Sequence, residues 1–247
     1  MKWARRRYGS TAAPWLPTDI AGASAWYRGD KILGLSNNDP VGTWPEPINS
    51  LDVTQATEAN KPLWIEIGLN GHPVVRGDGA DDTLYRTSVP STTIFPNAGE
   101  LSFYLILKQV GSKADNYTIG WGETYVSQTD ILATSNNVIY FDAPYGAAGE
   151  GRSSVAQPAG WDDTWHILIC YRLTDGTQVI RVDRTDISSV SKSGNVPAVS
   201  GTLALFNSWS LDVPFQGDIA DVLISSRGFT GGDITNLEDY SLTRYGL

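Results

Sequence analysis

The chain has 247 residues, 41% of them apolar, 18% charged and 11% aromatic, with a formal net charge of −9. That is ample apolar material for one large core, and the acidity argues against general nucleic-acid binding because a phosphate backbone is repelled. The longest uninterrupted apolar stretches, such as 103–107, fall far short of the ~20 residues of a membrane-spanning helix, and a single cysteine leaves no internal disulfide.

The charge is uneven. Lys2, Arg5, Arg6 and Arg7 precede the first acid, Asp19, leaving 14 basic residues against 27 acidic ones from residue 8 onward. Residues 1–18 read as a basic, aromatic arm, and 19–247 as one domain. The basic start resembles the head of a signal peptide, but Tyr8–Pro17 carries two prolines and no apolar run of the ~7–15 residues such a signal needs, so no export signal is expected. Arg between aromatics suits a protein interface, which makes Trp3, Arg5, Arg6 and Arg7 the candidate partner-binding residues.

Beyond the arm, short apolar or alternating runs are broken by Gly, Pro, Asn and Asp. Leu63–Ile67 alternates with period two and stops at Asn70-Gly71, a strong turn signal. Leu101–Leu107 is nearly continuous in apolar residues, as in a strand buried on both faces. Asn116–Gly122 and Asn137–Phe141 follow as strands. Thr164–Leu173 and Thr177–Asp183 flank Asp175-Gly176, predicting a hairpin whose turn residues take positive φ. Cys170, inside the first of these runs, is expected to be a buried small hydrophobe. Thr202–Phe206 and Phe215–Ser225 complete roughly ten strands, a number that implies an antiparallel sandwich or jelly roll. One helix is predicted, at the C-terminus. Thr230 and Asp233 form a capping signal, Phe229 and Ile234 a hydrophobic staple, and Ile234, Leu237 and Tyr240 one face, with Gly246 as the stop.

A succession of segments carries a family resemblance: Trp26-Tyr27, Val41–Pro45, Thr54–Thr57, Lys61-Pro62, Leu69–Arg76, Gly77–Leu84, Phe215–Val222, Leu237–Tyr240 and Arg244–Leu247. Their order resembles laminin-G-like domains of the concanavalin A-like lectin/glucanase superfamily, in the form found in phage and bacterial surface proteins, over residues 19–247. The resemblance implies an all-β, two-sheet jelly roll with a terminal helix at its edge. It implies less about function, because that fold hosts lectins, hydrolases, adhesins and structural modules.

Hydrolases of the superfamily place acids at alternate positions of one strand, and glycoside cleavage needs two carboxyl groups about 5–9.5 Å apart. Glu66 stands alone, and Asp218 and Asp221 have the wrong spacing, so no catalytic residues are expected. His72 and His166 lack a nucleophile or cysteine partner and read as structural. Asp78, Asp81 and Asp82 form the densest acid cluster, read first as turn chemistry with a calcium site as the alternative; no cofactor is expected. Trp44, Trp121, Trp161 and Trp209 lie beside Gly, Pro, Asp or Ser and are candidates to reach loops, where an aromatic face stacks on sugar; Trp26, Trp64 and Trp165 read as core. The leading functional expectation is a non-enzymatic structural or adhesion protein on a phage virion, docked through its arm to other assembly proteins. A carbohydrate-binding module recognising a cell-surface glycan is the alternative, and a glycoside hydrolase the third. Neither nucleic acid nor membrane is expected as a partner.

Overall fold

Aromatic and β-branched residues at every second position, punctuated by turn formers, commit most of this chain to strands. The computed structural model describes residues 14–96, 99–111, 115–124, 127, 129–135, 137–144 and 151–247. In chain order its strands are β1 (Ala23–Arg28), β2 (Thr43–Trp44), β3 (Val53–Thr54), β4 (Leu63–Leu69), β5 (His72–Asp78), β6 (Leu84–Pro90), β7 (Leu101–Gln109) and β8 (Asp115–Gly122). Then come β9 (Thr129–Ser135), β10 (Val138–Asp142), β11 (Arg152–Ala156), β12 (His166–Arg172), β13 (Thr177–Val182), β14 (Thr185–Ser191), β15 (Ser200–Leu205) and β16 (Gln216–Ser225). A single turn, α1 (Ser91–Ile94), and the terminal helix α2 (Gly231–Tyr245) complete it.

The strands form two antiparallel sheets, as the sandwich expectation requires. The first runs β14-β13-β12-β7-β16-β5-β4, with β1 also on β16; the second runs β11-β10-β9-β8-β15-β6-β3-β2. Sixteen strands among the described residues exceed the ten anticipated. The extra ones carry little apolar signal: β2 and β3 have two residues each, and β14 is the polar edge Thr-Asp-Ile-Ser-Ser-Val-Ser.

Residue alternation sorts the apolar side chains into two cores. Phe103, Leu105 and Leu107 of β7, Leu168 and Cys170 of β12, and Ile219, Val222 and Ile224 of β16 point between the sheets. Their neighbours Tyr104, Ile106, Ile167, Ile169, Ala220 and Leu223 lie on the opposite face, with Leu237 and Tyr245 of α2. This explains the near-continuous apolar runs, because the first sheet is covered by the second on one face and by α2 on the other. The helix begins with a reciprocal capping box between Thr230 and Asp233 and is capped by Gly246 with φ 74°, as the Thr-x-x-Asp signal and the terminal glycine predict.

Two turns show where local reading holds and where it needs correction. At Asn70-Gly71 both residues take positive φ, 47° and 82°, as a two-residue hairpin demands. At Asp175-Gly176 only Gly176 does, at 82°. Leu173 there opens a four-residue turn, its carbonyl accepting from the Gly176 N–H at 3.0 Å, while Asp175 Oδ1 accepts from the Thr177 N–H. One left-handed glycine after an ordinary turn, rather than a pair, closes this hairpin.

No helix of the described residues is long and apolar enough to cross a membrane. Residues 14–18 leave the arm and pack on the body: Trp15 meets Tyr240 edge-on at 6.4 Å, and Pro17 is buried. The expected partner-binding residues Trp3, Arg5, Arg6 and Arg7 lie outside the described residues.

Candidate functional site

The structure separates the four tryptophans singled out as loop candidates. Trp44, Trp121 and Trp161 are buried, at 0%, 1% and 2% exposure, and their indole N–H groups donate to the Arg28 carbonyl, the Val89 carbonyl and Gln109 Oε1. They are core residues, because each indole finds an interior acceptor and its ring fills the space between sheets. Trp209 differs. It is half-buried and lines a hollow of about 490 Å³ on the outer face of the second sheet.

That hollow is built on small residues. Leu203 and Trp121 pair across β15 and β8 and point inward, which turns the adjacent pair Thr202 and Gly122 outward. Thr87 and Ser88 of β6 add hydroxyls beside them. A second hollow of about 300 Å³ adjoins it, sharing Leu211, with Tyr85 of β6 and Asn207 in its wall. Leu84 pairs with Leu205 inside the core, so Tyr85, paired with Ala204, faces out. The two hollows adjoin along β6 at Leu211, each with an aromatic ring in its lining, as the two halves of a groove.

The loop between β15 and β16 stands over this groove and is held firmly. Phe206 and Phe215 are both fully buried, 6.1 Å apart, and the Phe215 N–H donates to the Phe206 carbonyl, closing the loop's base. Asn207 Oδ1 accepts from the N–H groups of Ser208 and Val213, both at 2.9 Å. Asp212 Oδ1 accepts from the hydroxyls of Ser208 at 2.8 Å and Ser210 at 2.6 Å. The Ser210 hydroxyl, followed by that of Ser208, holds the Asp212 carboxyl below its usual range despite opposing desolvation. A loop fixed before a ligand arrives loses little entropy on binding. Tyr85, Thr87, Ser88, Asn207 and Asp212 were not singled out from the sequence, although the turn-rich run Asn207-Ser208-Trp209-Ser210 held the one usable signal.

The acid cluster borders the same groove. Asp82 Oδ2 accepts from the Asp78 N–H at 2.8 Å, and Asp78 Oδ1 from the Ala80 N–H at 2.7 Å; this is the turn chemistry anticipated for the segment. One oxygen from each of Asp78, Asp81 and Asp82 lies within 4.8 Å of the others. Burial, followed by the charges of Asp78 and Asp81, pushes the Asp82 carboxyl up to about 6, against the pull of the Asp78 amide. Asp81 lines the smaller hollow beside Thr83, whose buried hydroxyl has no hydrogen-bond partner.

The other acids considered for catalysis are engaged elsewhere. Asp218 is fully buried and accepts two bonds from Arg76, at 2.6 and 3.0 Å, with Lys108 at 2.8 Å. Asp221, also fully buried, accepts from Trp26 Nε1 at 2.7 Å and from the Tyr240 and Tyr245 hydroxyls at 3.1 Å. Neither lines the groove, and Glu66 lies on β4 of the other sheet. His166 is buried between Asp183 at 2.7 Å and the Trp161 carbonyl at 3.1 Å, stacked on the Trp161 ring. His72 packs edge-on against Tyr245.

Two larger hollows flank α2. In the one of about 690 Å³, Arg181 is paired with Glu238 and Asp186, and Arg227 with Asp233, so its cations are already compensated. The one of about 630 Å³ lies between Trp15, Tyr240 and Arg244, where Arg244 is paired with Asp30.

No protein-family model matches the chain, and no curated protein matches it in sequence. Solved structures do match in fold. Domain 4 of AbnA, a GH43 extracellular arabinanase from Geobacillus stearothermophilus in complex with arabinotriose, superposes with a TM-score of 0.62 at 14% identity, over 87% of this chain and 98% of that one. Trypanosoma rangeli sialidase in complex with sialic acid gives 0.61 at 12% identity, over 92% of this chain and 34% of that one. The same sialidase with a difluorinated KDN ligand gives 0.60 at 12% identity, over 92% and 33%. The chain thus spans about a third of the sialidase it resembles and nearly all of the arabinanase domain. At these identities the likeness establishes a shared β-sandwich. The leading functional expectation, a structural role on a phage virion, is corrected by these neighbours, which are a sialidase and a domain of an arabinanase.

Proposed function

We propose that this chain is a carbohydrate-binding module whose glycan lies in the groove along β6, stacked on Trp209. The observation that carries the reading is the half-buried Trp209 ring, presented by a hydrogen-bonded loop over a floor of Thr202 and Gly122. Small residues below and an aromatic ring beside them leave room for a flat sugar face, and the hydroxyls of Thr87, Ser88 and Ser210 suit sugar hydroxyls. Support also comes from the arabinanase domain, which matches over nearly its full length and is in complex with arabinotriose. Asp218 and Asp221, the paired acids considered for cleavage, are buried in structural networks away from the groove.

A glycan array followed by calorimetry on the best ligand tests this. A sugar covering about 40 Å² of the partly exposed indole would gain about 1 kcal/mol at ~25 cal/mol per Å², so Trp209→Ala should weaken binding at least about fivefold. Leu33→Ala, at an 84% exposed position outside the groove, should change nothing. Undiminished binding by Trp209→Ala would move the site elsewhere.

A further inference from the structure

The groove has a charge pattern that selects among glycans. Among the described residues lining its two halves there is no Lys, Arg or His, whereas Asp81, Asp212 and Glu123 all line it and are exposed. Asp78 and Asp82 stand directly behind Asp81. Of the cations nearby in sequence, Lys61 pairs with Glu58 at 2.5 Å, whereas Arg86 keeps its charge but donates its guanidinium to the Ser50 carbonyl, outside the groove lining. Among the described residues, the groove lining therefore offers no cation of its own to offset the acids.

We propose that the groove recognises glycans free of carboxylate and sulfate groups, and discriminates against sialylated or uronic acid-containing chains. This rests on the reading of the groove as the glycan site and adds its substrate class. The physical reason is Coulombic. A sugar carboxylate in the groove would meet Glu123 in the half that holds Trp209, or Asp81 and Asp212 in the other, with no cation among the described lining residues to answer it. Recognition of an acidic sugar ordinarily uses an Arg fork or another charged donor, and the described groove residues include neither Arg nor Lys. Neutral hydroxyls, by contrast, can donate directly to Asp81, Asp212 and Glu123, a charge-assisted bond that favours an uncharged polyol. The direction of the Asp82 shift agrees, since Asp78 and Asp81 both push its carboxyl upward. The structural likeness to a sialidase in complex with sialic acid makes the inference discriminating, because transfer by likeness alone would lead to the opposite ligand.

The test uses the whole chain on an array of matched pairs: galactosides with and without a terminal sialic acid, and polygalacturonate beside its carboxyl-reduced form. The best pair is then taken into calorimetry at low salt and at about 0.5 M salt. The neutral member should bind at least about tenfold more tightly at low salt, and the ratio should narrow as salt screens the exposed acids. The double variant Asp81→Asn/Glu123→Gln, checked for folding by its thermal transition, should narrow the ratio without added salt. Equal or tighter binding of the acidic member would overturn the substrate class while leaving the groove as a glycan site. Acidic binding that appears only when calcium is added would overturn it too, by showing that a bound cation reverses the groove's charge. Silence across the array, or binding indifferent to Trp209→Ala, would instead remove the glycan-site reading on which the proposal rests.

Discussion

Asp221 ties α2 to the first sheet, and its replacement by asparagine should change how stability depends on pH. Burial, the dominant influence, pushes its carboxyl up to about 7, against the lowering effects of the Trp26 indole, Arg28, and the Tyr240 and Tyr245 hydroxyls. An unfolded aspartate titrates near ~3.9, so between the two values the folded state holds a proton that the unfolded state has released. The contribution is fully present below about pH 4 and is lost as pH rises through about 7. At ~1.36 kcal/mol per unit, this group alone makes wild type about 2–3 kcal/mol less stable at pH 8 than at pH 5. Asp221→Asn keeps the shape, can still accept from Trp26, and carries no titration. Its urea-unfolding free energy should therefore lack that fall, although the variant's level at pH 5 can be lower if the two tyrosine hydroxyls reorient poorly. Parallel pH profiles for the two proteins would refute the assignment. Glycan affinity should be unaffected by the substitution at fixed pH, since Asp221 serves the face under α2 and the groove belongs to the other sheet.

Two further outcomes follow from the same contacts. Asn207→Ala strips the acceptor from the Ser208 and Val213 amides, which should cost about 1–3 kcal/mol. It should raise hydrogen exchange across 208–213 and lower glycan affinity; unchanged exchange there would show that the loop does not depend on Asn207. Cys170 is fully buried, and burial pushes its thiol well up, so iodoacetamide should label it only after denaturant unfolds the chain, as read by mass spectrometry. Rapid labelling of the native protein would place the thiol at an opening that the packed core does not contain.

Features governed by neighbours in sequence were determined by the sequence itself. The Asn70-Gly71 hairpin, the caps of α2 and the doubly buried run of β7 depend on backbone preference, side-chain-to-backbone bonds and apolar continuity, all of which act within a few residues. Tertiary structure decided what depends on which face a residue meets. Asp218 and Asp221 are three apart and would lie on opposite faces of a regular strand. The irregularity between Ile219 and Asp221 puts Ala220 and Asp221 on the α2 side together, and only the pairing partners of β16 reveal it. Likewise, four tryptophans sit beside turn-forming residues, yet three are drawn into the interior: Trp44 and Trp121 by the registers of β2 and β8, and Trp161, in the loop before β12, by its bond to Gln109 and its stack on His166. Trp209 stays at the groove because Asn207 and Asp212 brace its loop locally while Phe206 and Phe215 bury the loop's base between the sheets. Exposure is a property of the assembled sheets, and a side chain's own neighbours in sequence carry no record of what will cover it.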